Sequence, residues 1–304
     1  MTPFLEALKQ RTLVGDGAMG TQLQQAGLVP GGCGEAWNIE APEKVTAIQR
    51  GYVEAGSDCL ITNTFGGSRI MLERYGYSDR TAEINAAAVR VAREAFGDRP
   101  GYVIGDMGPF GGLLEPFGEV RPEDVRMAFR EQAEALVGAG ADAIIIETQT
   151  SLEELGIALE CIRAAGAPCV IASMAFDVTL DGSEARTMMG IEPEQGAQFM
   201  VDSGADVVAL NCGTGIDMLW AGRIAARYRA TCDVPIMVQP NAGTPVLEKL
   251  EVIYKAGPEV MAAGFDDVLA AGVNVVGGCC GSTPAHIRRL RELLDSHAAE
   301  GEVP

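Results

Sequence analysis

The chain has 304 residues and a formal charge of −19, with 47% hydrophobic and 21% charged residues. This composition is typical of a soluble globular protein, and the negative charge argues against nucleic acid and anionic membranes as partners because both would repel the chain. The sequence shows no secretory signal, no apolar run long enough to cross a bilayer, and no small disulfide framework among its eight cysteines. We therefore expect a cytoplasmic protein whose thiols are reduced.

A repeated local pattern divides the chain into similar units. A glycine followed two residues later by Asp or Asn precedes an apolar segment at Gly56, Gly140, Gly204 and Gly272. Such a glycine is typical of a helix end that leads into a buried strand. Short apolar segments predict eight strands, near residues 12–16, 58–63, 102–107, 143–147, 168–174, 206–212, 235–240 and 272–278. We therefore predict a single α/β domain over residues 1–304, a (β/α)₈ TIM barrel with long βα loops.

Polar residues follow most of the predicted strands, whereas the strands themselves are almost wholly apolar. Active sites of such barrels lie at the C-terminal ends of the strands, so these residues predict a site at that rim. They are Asp16, Asn63, Asp106, Glu147, Asn211, Cys212, Asn241, Cys279 and Cys280. Residues 175–190, after the fifth predicted strand, are interpreted as a long loop.

The first predicted strand is followed by glycines that fit a dinucleotide-binding pattern. The segment "LVGDGAMGTQL" contains Gly15, Gly17 and Gly20 in the spacing G-x-G-x-x-G. That fingerprint also needs an acidic residue at the end of a second strand about 20 residues later, but the next convincing strand begins only near Asp58. We reject the dinucleotide site, and Asp16 becomes the informative residue of this segment.

The segment "VVGGCCGSTP" places Cys279 directly beside Cys280. An extended strand would point the two side chains to opposite faces, but the flanking glycines allow a backbone that aims both the same way. The pair could supply two metal ligands, a redox pair or two inert core thiols. Cys212 ends the sixth predicted strand and the pair ends the eighth, with one strand between them. Three thiolates could therefore meet as in a catalytic zinc site with an open fourth position, and we favour metal ligation.

The remaining cysteines and both histidines have simpler interpretations. Cys33, in the long first loop, is expected to be an ordinary exposed thiol, although it could approach the mouth of the barrel. His286 lies near the start of the last helix and His297 in the charged tail, so mechanisms that need a histidine at the rim are not favoured. Three cysteines in apolar strands or helices are expected to be buried hydrophobic residues: Cys59, Cys161 and Cys169.

Two acidic residues stand at strand ends. Glu147 closes the apolar segment "AIIIET", so it is either buried with a partner or faces the cavity. Asp16 and Glu147 come from different sides of the barrel mouth and together could bind a cationic group such as a substrate ammonium. Capping of nearby backbone N–H groups is the alternative for either residue.

Five motifs together resemble one family over about residues 11–292. They are "GDGAMGTQL", "TNTF" at Thr62 to Phe65, "ALNCGTG", "PNAGTP" and "GGCCGSTPAHI". They resemble the homocysteine S-methyltransferase family, and most of all the homocysteine-binding domain of its cobalamin-dependent methionine synthase branch. The resemblance implies a zinc-binding barrel that methylates the thiol of homocysteine to give methionine.

The resemblance also implies roles for individual residues. Zn²⁺ would be held by Cys212, Cys279 and Cys280, and the homocysteine sulfur would take the open position. Asp16 and Glu147 would hold the substrate's amino group. The residues lining the mouth would be Thr62, Asn63, Thr64, Phe65 and Asn241.

The methyl donor is not fixed by these motifs. The "NCGTG" and "PNAG" segments look more like the cobalamin-dependent branch, which favours methylcobalamin carried by a separate corrinoid protein. A small donor such as S-methylmethionine or betaine is the alternative, as is an enzyme that demethylates another substrate. From a different class, the chain could be a non-catalytic subunit that binds zinc and homocysteine.

Overall fold

The computed structural model describes residues 2–248 and 251–301. Within these residues, eight parallel strands form one sheet in which neighbours in sequence are neighbours in space, and the last strand also pairs with the first. The strands are β1 (Leu13–Val14), β2 (Cys59–Ile61), β3 (Tyr102–Met107), β4 (Ala143–Gln149), β5 (Val170–Met174), β6 (Val207–Asn211), β7 (Ile236–Gln239) and β8 (Val275–Val276). The predicted TIM barrel and the existence of its eight strands are confirmed.

β1 and β2 stand at the two ends of the strand order, and Asp58 connects them. Its backbone N–H donates to the carbonyl of Val14 over 2.7 Å, and its carboxylate accepts the N–H of Val14 over 2.9 Å. Arg11 and Arg291 donate to the same carboxylate. The aspartate of the repeated Gly-x-Asp pattern therefore joins the first two strands and nearly closes the barrel.

Helices surround the barrel and cover its loops. No helix in the described part of the chain has the length and apolarity needed to span a membrane. The helices are α1 (Phe4–Leu8), α2 (Gly20–Gln25), α3 (Trp37–Glu40), α4 (Pro42–Ala55), α5 (Arg69–Glu73), α6 (Thr81–Phe96), α7 (Pro122–Gly138), α8 (Leu152–Ala164), α9 (Pro193–Asp202), α10 (Met218–Thr231), α11 (Pro258–Met261), α12 (Phe265–Ala270) and α13 (Pro284–Gly301), with a 3₁₀ turn at Ser78–Arg80.

The interior of the barrel is filled by alternate residues of the strands. Successive side chains of a strand point to opposite faces, so every second residue enters the interior. Ile104 of β3, Ile145 of β4, Ala209 of β6 and Met237 of β7 belong to one buried cluster inside the barrel. Phe4 of α1 packs on the same cluster, so the N-terminal end of the barrel is plugged and the C-terminal end is left for the site.

Two loops contain short hairpins that the sequence does not reveal. Residues 175–190 were expected to form a plain loop, but Asp177–Val178 pairs antiparallel with Ala185–Arg186. A second hairpin follows β7 and pairs Pro245–Glu248 with Glu251–Tyr254. The second hairpin brings Tyr254 to the barrel mouth.

A buried glutamate links α8 to the loop after β3. Glu154 is 8% exposed, and its carboxylate accepts the N–H of Phe110 over 2.8 Å. Burial raises the pKa of Glu154 to about 7, although hydrogen bonds from Phe110 and Gln149 oppose the shift. In the folded protein this group therefore holds its proton to a higher pH than in the unfolded chain.

This pKa shift gives an expected dependence of stability on pH. Since the folded state binds more protons between pH 4.5 and about 7, the free energy of unfolding should fall as pH rises through that range and level off above it. The loss attributable to Glu154 is on the order of 3 kcal/mol. Glu154→Gln should remove this part of the fall, as measured by urea denaturation at pH 5 and pH 8. Equal pH profiles in the two proteins would contradict the assignment.

Candidate active site

The inward-facing residues change from apolar to polar at the C-terminal end of the barrel. Asp106 lies two residues after Ile104, Glu147 two after Ile145, Asn211 two after Ala209 and Gln239 two after Met237. Strand alternation therefore directs these four side chains into the same end of the interior. The interior of the barrel is thus filled by an apolar core towards its N-terminal end and lined by polar groups at its C-terminal end.

Three cysteine sulfurs meet at this polar end. The Sγ atoms of Cys212 and Cys280 are 3.9 Å apart, those of Cys279 and Cys280 are 4.0 Å apart, and all three lie within 4.8 Å of one another. Among the described residues, no fourth Cys, His, Asp or Glu joins this group as a possible metal ligand. The predicted meeting of the three thiols is observed, and one side of the cluster is open to a cavity.

Unusual backbone conformations direct these thiols inward. Asn211 points into the barrel, so a regular strand would turn Cys212 away from it. Cys212 instead has φ of 58°, a left-handed conformation that costs a non-glycine residue on the order of 1 kcal/mol. Gly281 after the vicinal pair has φ of 77°, and a Cβ there would lie 2.1 Å from Tyr254. The turn that orients Cys280 therefore requires glycine.

Hydrogen bonds around the cluster favour a thiolate. The pKa of Cys212 is lowered because the thiols of Cys279 and Cys280 donate to its sulfur, and Asn241 contributes a further hydrogen bond. The Nδ2 group of Asn211 lies 3.9 Å from the sulfur of Cys279, and Tyr254 hydrogen-bonds to Cys280. These contacts therefore favour the thiolate form of Cys212.

The donor set fits zinc. Zinc binds thiolate at about 2.3 Å in a tetrahedron, for which neighbouring sulfurs lie about 3.8 Å apart. The Cys212–Cys280 and Cys279–Cys280 separations, 3.9 and 4.0 Å, are close to that value. Soft thiolate ligands select zinc over magnesium or calcium, and three protein ligands leave a fourth position for a substrate.

Carboxylates line the same cavity as the thiols. Asp16 is 2% exposed, and its Oδ2 atom accepts the N–H of Ile61 over 2.8 Å. Burial raises the pKa of Asp16 well above its usual range, and the charge of Glu147 raises it further. Burial raises the pKa of Glu147 to about 8, with a contribution from Cys212. Asp106 is also buried, and its pKa is raised well above the usual range by burial and then by Glu147, Glu35 and Asp16.

A cavity of about 590 Å³ connects the thiols and the carboxylates. None of the described residues that line it is Lys, Arg or His, so its charged groups are acidic. Burying several carboxylates without a counter-ion is unfavourable, and a cationic ligand would relieve that cost. The cavity thus combines a cluster of thiols with acidic groups that a cationic ligand would stabilise.

The threonines predicted at the mouth organise the wall of the cavity. The Oγ1 atoms of Thr62 and Thr64 are 2.6 Å apart. Thr62 Oγ1 accepts the N–H of Asp106 over 2.9 Å, and Thr64 Oγ1 donates to the carbonyl of Asp106 over 2.7 Å. Both residues line the cavity, and their hydroxyl groups are bound to the protein.

The other predicted mouth residues lie in different positions. Asn63 lines the cavity, and its side chain donates to Gly34 and Asn38 of the first loop. Phe65 also lines the cavity and is 39% exposed. Asn241 lies beside the thiols, where Nδ2 donates to the carbonyl of Gly213 over 3.1 Å. Its Oδ1 atom is buried without a hydrogen-bond partner among the described residues, and Asn241 is not among the described residues that line the cavity.

The sequence did not assign roles to three residues of the cavity. Asp106 was noted only as polar, Gln239 lies within an apolar run, and Tyr254 comes from a distant hairpin. Every second residue of a strand faces the same side, so the positions two residues after Ile104 and Met237 could have identified Asp106 and Gln239. Tyr254 carries no such signal, because its position depends on how the hairpin folds over the mouth.

The expectation for Cys33 was wrong. Cys33 is only 9% exposed and packs with Ala36, Leu72 and Ile84 under the first loop. Its sulfur lies 3.6 Å from a carboxylate oxygen of Glu35, and burial followed by that charge raises the pKa of Cys33 to about 12. This thiol anchors the loop and is outside the lining of the cavity.

The remaining expectations for cysteine and histidine agree with the structure. His286 contacts Thr283 at the start of α13, and its Nε2 atom lies 2.8 Å from the carbonyl of Ala256. His297 lies 3.1 Å from Asp266 near the surface. Neither histidine lines the cavity. The cysteines expected in the core are each 1% exposed: Cys59, Cys161 and Cys169.

Comparison with known sequences identifies relatives across nearly the whole chain. A family model described as homocysteine S-methyltransferase matches residues 13–294. The methionine synthase of Mycobacterium tuberculosis is 36% identical over an alignment 311 positions long that covers 95% of this chain and 25% of that protein. The methionine synthase of Mycobacterium leprae is 34% identical and covers 100% of this chain and 26% of that protein. The chain thus spans about a quarter of the length of these relatives.

Solved structures with the same fold include a homocysteine methyltransferase. The metallated form of MmuM from Escherichia coli has a TM-score of 0.77 and 23% identity, covering 96% of this chain and 100% of that one. The carboxyl transferase domain of Rhizobium etli pyruvate carboxylase has a TM-score of 0.53 and 16% identity, covering 97% of this chain and 49% of that one. At these identities the structural likeness shows the barrel alone. The family model and the mycobacterial sequences go further, and they show that the chain belongs to the homocysteine S-methyltransferase family of methyltransferase enzymes.

Proposed function

We propose that this chain is a zinc-dependent thiol methyltransferase that converts homocysteine to methionine. The observation that carries the proposal is the meeting of three cysteine sulfurs within 4.8 Å at the wall of an acidic cavity. Cys212, Cys279 and Cys280 would hold Zn²⁺. When bound, zinc would supply a fourth coordination position in which a substrate thiol, whose pKa is normally about 8.5, is deprotonated at neutral pH.

The cysteines also set the nucleophilicity of the substrate sulfur. Three thiolates carry one more negative charge than Zn²⁺ neutralises, so a sulfur that joins them should remain electron-rich enough to attack a methyl group. This chemistry requires no histidine base, in agreement with the positions of His286 and His297 outside the cavity lining.

The carboxylates would bind the other end of the substrate. Asp16 and Glu147 line the same cavity as the thiols and would hold the α-ammonium of homocysteine. The absence of Lys, Arg and His from the described lining supports a cationic ligand.

We propose methylcobalamin on a separate corrinoid protein as the methyl donor. The "NCGTG" and "PNAG" segments support this choice, as does the greater identity to methionine synthases than to MmuM. Such a donor would have to present its methyl group through the open end of the barrel.

A donor panel tests this function. Zinc-loaded protein with homocysteine should form methionine with methylcobalamin, and more slowly or not at all with betaine or S-methylmethionine. Product formation by mass spectrometry is the measurement, with the Cys212→Ala protein as the control for uncatalysed methyl transfer. Turnover only with a small donor would overturn the corrinoid assignment. Binding of zinc and homocysteine without product from any donor would identify a binding subunit.

A further inference from the structure

Asp106 is a buried carboxylate that the fold does not use. It is 3% exposed, lines the cavity and points inward from β3. Its Oδ1 atom has no hydrogen-bond partner among the residues that the structure describes. The charges that act on it come from Glu147, Glu35 and Asp16, all of which are acidic.

The backbone of Asp106, by contrast, is held firmly. Thr62 and Thr64 bind its N–H and carbonyl, and Gln132 Nε2 donates to the same carbonyl over 3.2 Å. These contacts would be the same for any residue at this position. The structure therefore fixes where the Asp106 side chain emerges, while its Oδ1 atom has no hydrogen-bond partner in the part of the chain that the structure describes.

The position of Asp106 places it close to the predicted ammonium ligands. Asp106 pairs in register with Ile145, and Glu147 lies two residues further along the adjacent strand. Neighbouring strands are about 4.8 Å apart, and both side chains face the interior. Asp106 and Glu147 therefore form adjacent acidic groups on one wall.

A second, independent feature indicates that this cavity receives hydrogen-bond donors. Gln239 enters the same cavity from β7, is 3% exposed, and its Oε1 atom also lacks a partner among the described residues. A buried acceptor without a donor is costly. Two such acceptors on different strands indicate a ligand that brings N–H groups with it.

We propose that Asp106 is a third carboxylate that binds the α-ammonium of the thiol substrate, beside Glu147 and Asp16. This inference rests on the proposed function. An ammonium group has three N–H donors, so it can satisfy up to three acceptors at once. Asp106 would then help the site to select amino thiols over thiols that lack an amine.

The test compares homocysteine with 4-mercaptobutanoate, which is homocysteine without its amino group. Binding is measured by calorimetry on the zinc-loaded full chain. Asp106→Asn keeps the size and the backbone contacts of the residue, and it should weaken homocysteine binding by about 10-fold or more, as expected for a hydrogen bond to a charged group. Its effect on 4-mercaptobutanoate should stay within about 2-fold.

Two further variants serve as controls for this test. Asp106→Glu retains the charge and should recover part of the preference for homocysteine. Asp202→Asn, an exposed position whose side chain accepts from Gln198 on α9, should leave both ligands unaffected.

The measurements distinguish a failure of the Asp106 proposal from a failure of the proposed function. Equal weakening of both thiols by Asp106→Asn, or no weakening of homocysteine, would overturn the role of Asp106 while leaving the proposed function standing. Failure of the zinc-loaded unmodified protein to bind homocysteine would overturn the proposed function and this inference together.

Discussion

Replacing any one of Cys212, Cys279 and Cys280 by alanine is expected to lower zinc affinity by more than about 100-fold. Removing a partner in the outer coordination shell already costs 10–100-fold, and these residues would be direct ligands. Zinc content after dialysis, measured by mass spectrometry, should fall from about one equivalent per chain to a small fraction of that. A single variant that retains full zinc would exclude its cysteine as a ligand.

The same variants should remain folded. The three cysteines lie at the rim, whereas the barrel is stabilised by the apolar cluster that includes Ile104, Ile145 and Met237. Circular dichroism should therefore show unchanged secondary structure. Cys232→Ala is a matched control, because Cys232 follows α10 away from the cavity and contacts the carbonyl of Tyr228. It should bind zinc as the unmodified chain does.

The barrel could be predicted because its strands carry a strong local signal. Each is a short apolar run, and in four cases a glycine and an Asp or Asn precede it. The ends of the strands were less predictable. The last strand was predicted over residues 272–278, but only Val275–Val276 pairs as a strand, and Cys279 and Cys280 follow it at the rim near Cys212.

The meeting of the three thiols could also be predicted, because the order of the strands brings strand ends that are distant in sequence to one rim. The sequence does not show how distant loops and helices pack against one another. Cys33 was expected to be exposed because its own segment is polar and rich in glycine, yet Leu72 and Ile84 from later helices bury it. Tyr254 reaches Cys280 for the same kind of reason, since its hairpin folds back over the mouth.

The electrostatics of the cavity connect the two halves of the site. Burial raises the pKa of each acid, and neighbouring charges add to the shift: Cys212 raises the pKa of Glu147, and Glu147 raises the pKa values of Asp16 and Asp106. An ion at the thiols and an ammonium at the acids would each reduce this repulsion. Zinc binding and substrate binding should therefore favour one another.

Glu147→Gln is expected to weaken homocysteine binding by about 10- to 100-fold, the range for a hydrogen bond to a charged group. The substitution keeps the size of the side chain but removes the charge that would hold the substrate's ammonium. Zinc affinity should change by less than about 3-fold, because Glu147 is not one of the three clustered ligands. Calorimetric titration of zinc into metal-free protein, and of homocysteine into zinc-loaded protein, measures the two effects separately.

Glu154→Gln is the matched control for Glu147→Gln. It makes the same chemical change at another buried glutamate, one that binds the N–H of Phe110 and does not line the cavity. Homocysteine binding should therefore be unaltered in Glu154→Gln. If Glu147→Gln weakened zinc and homocysteine binding to the same extent, Glu147 would be organising the thiol cluster and the ammonium would have to be held by Asp16 and Asp106.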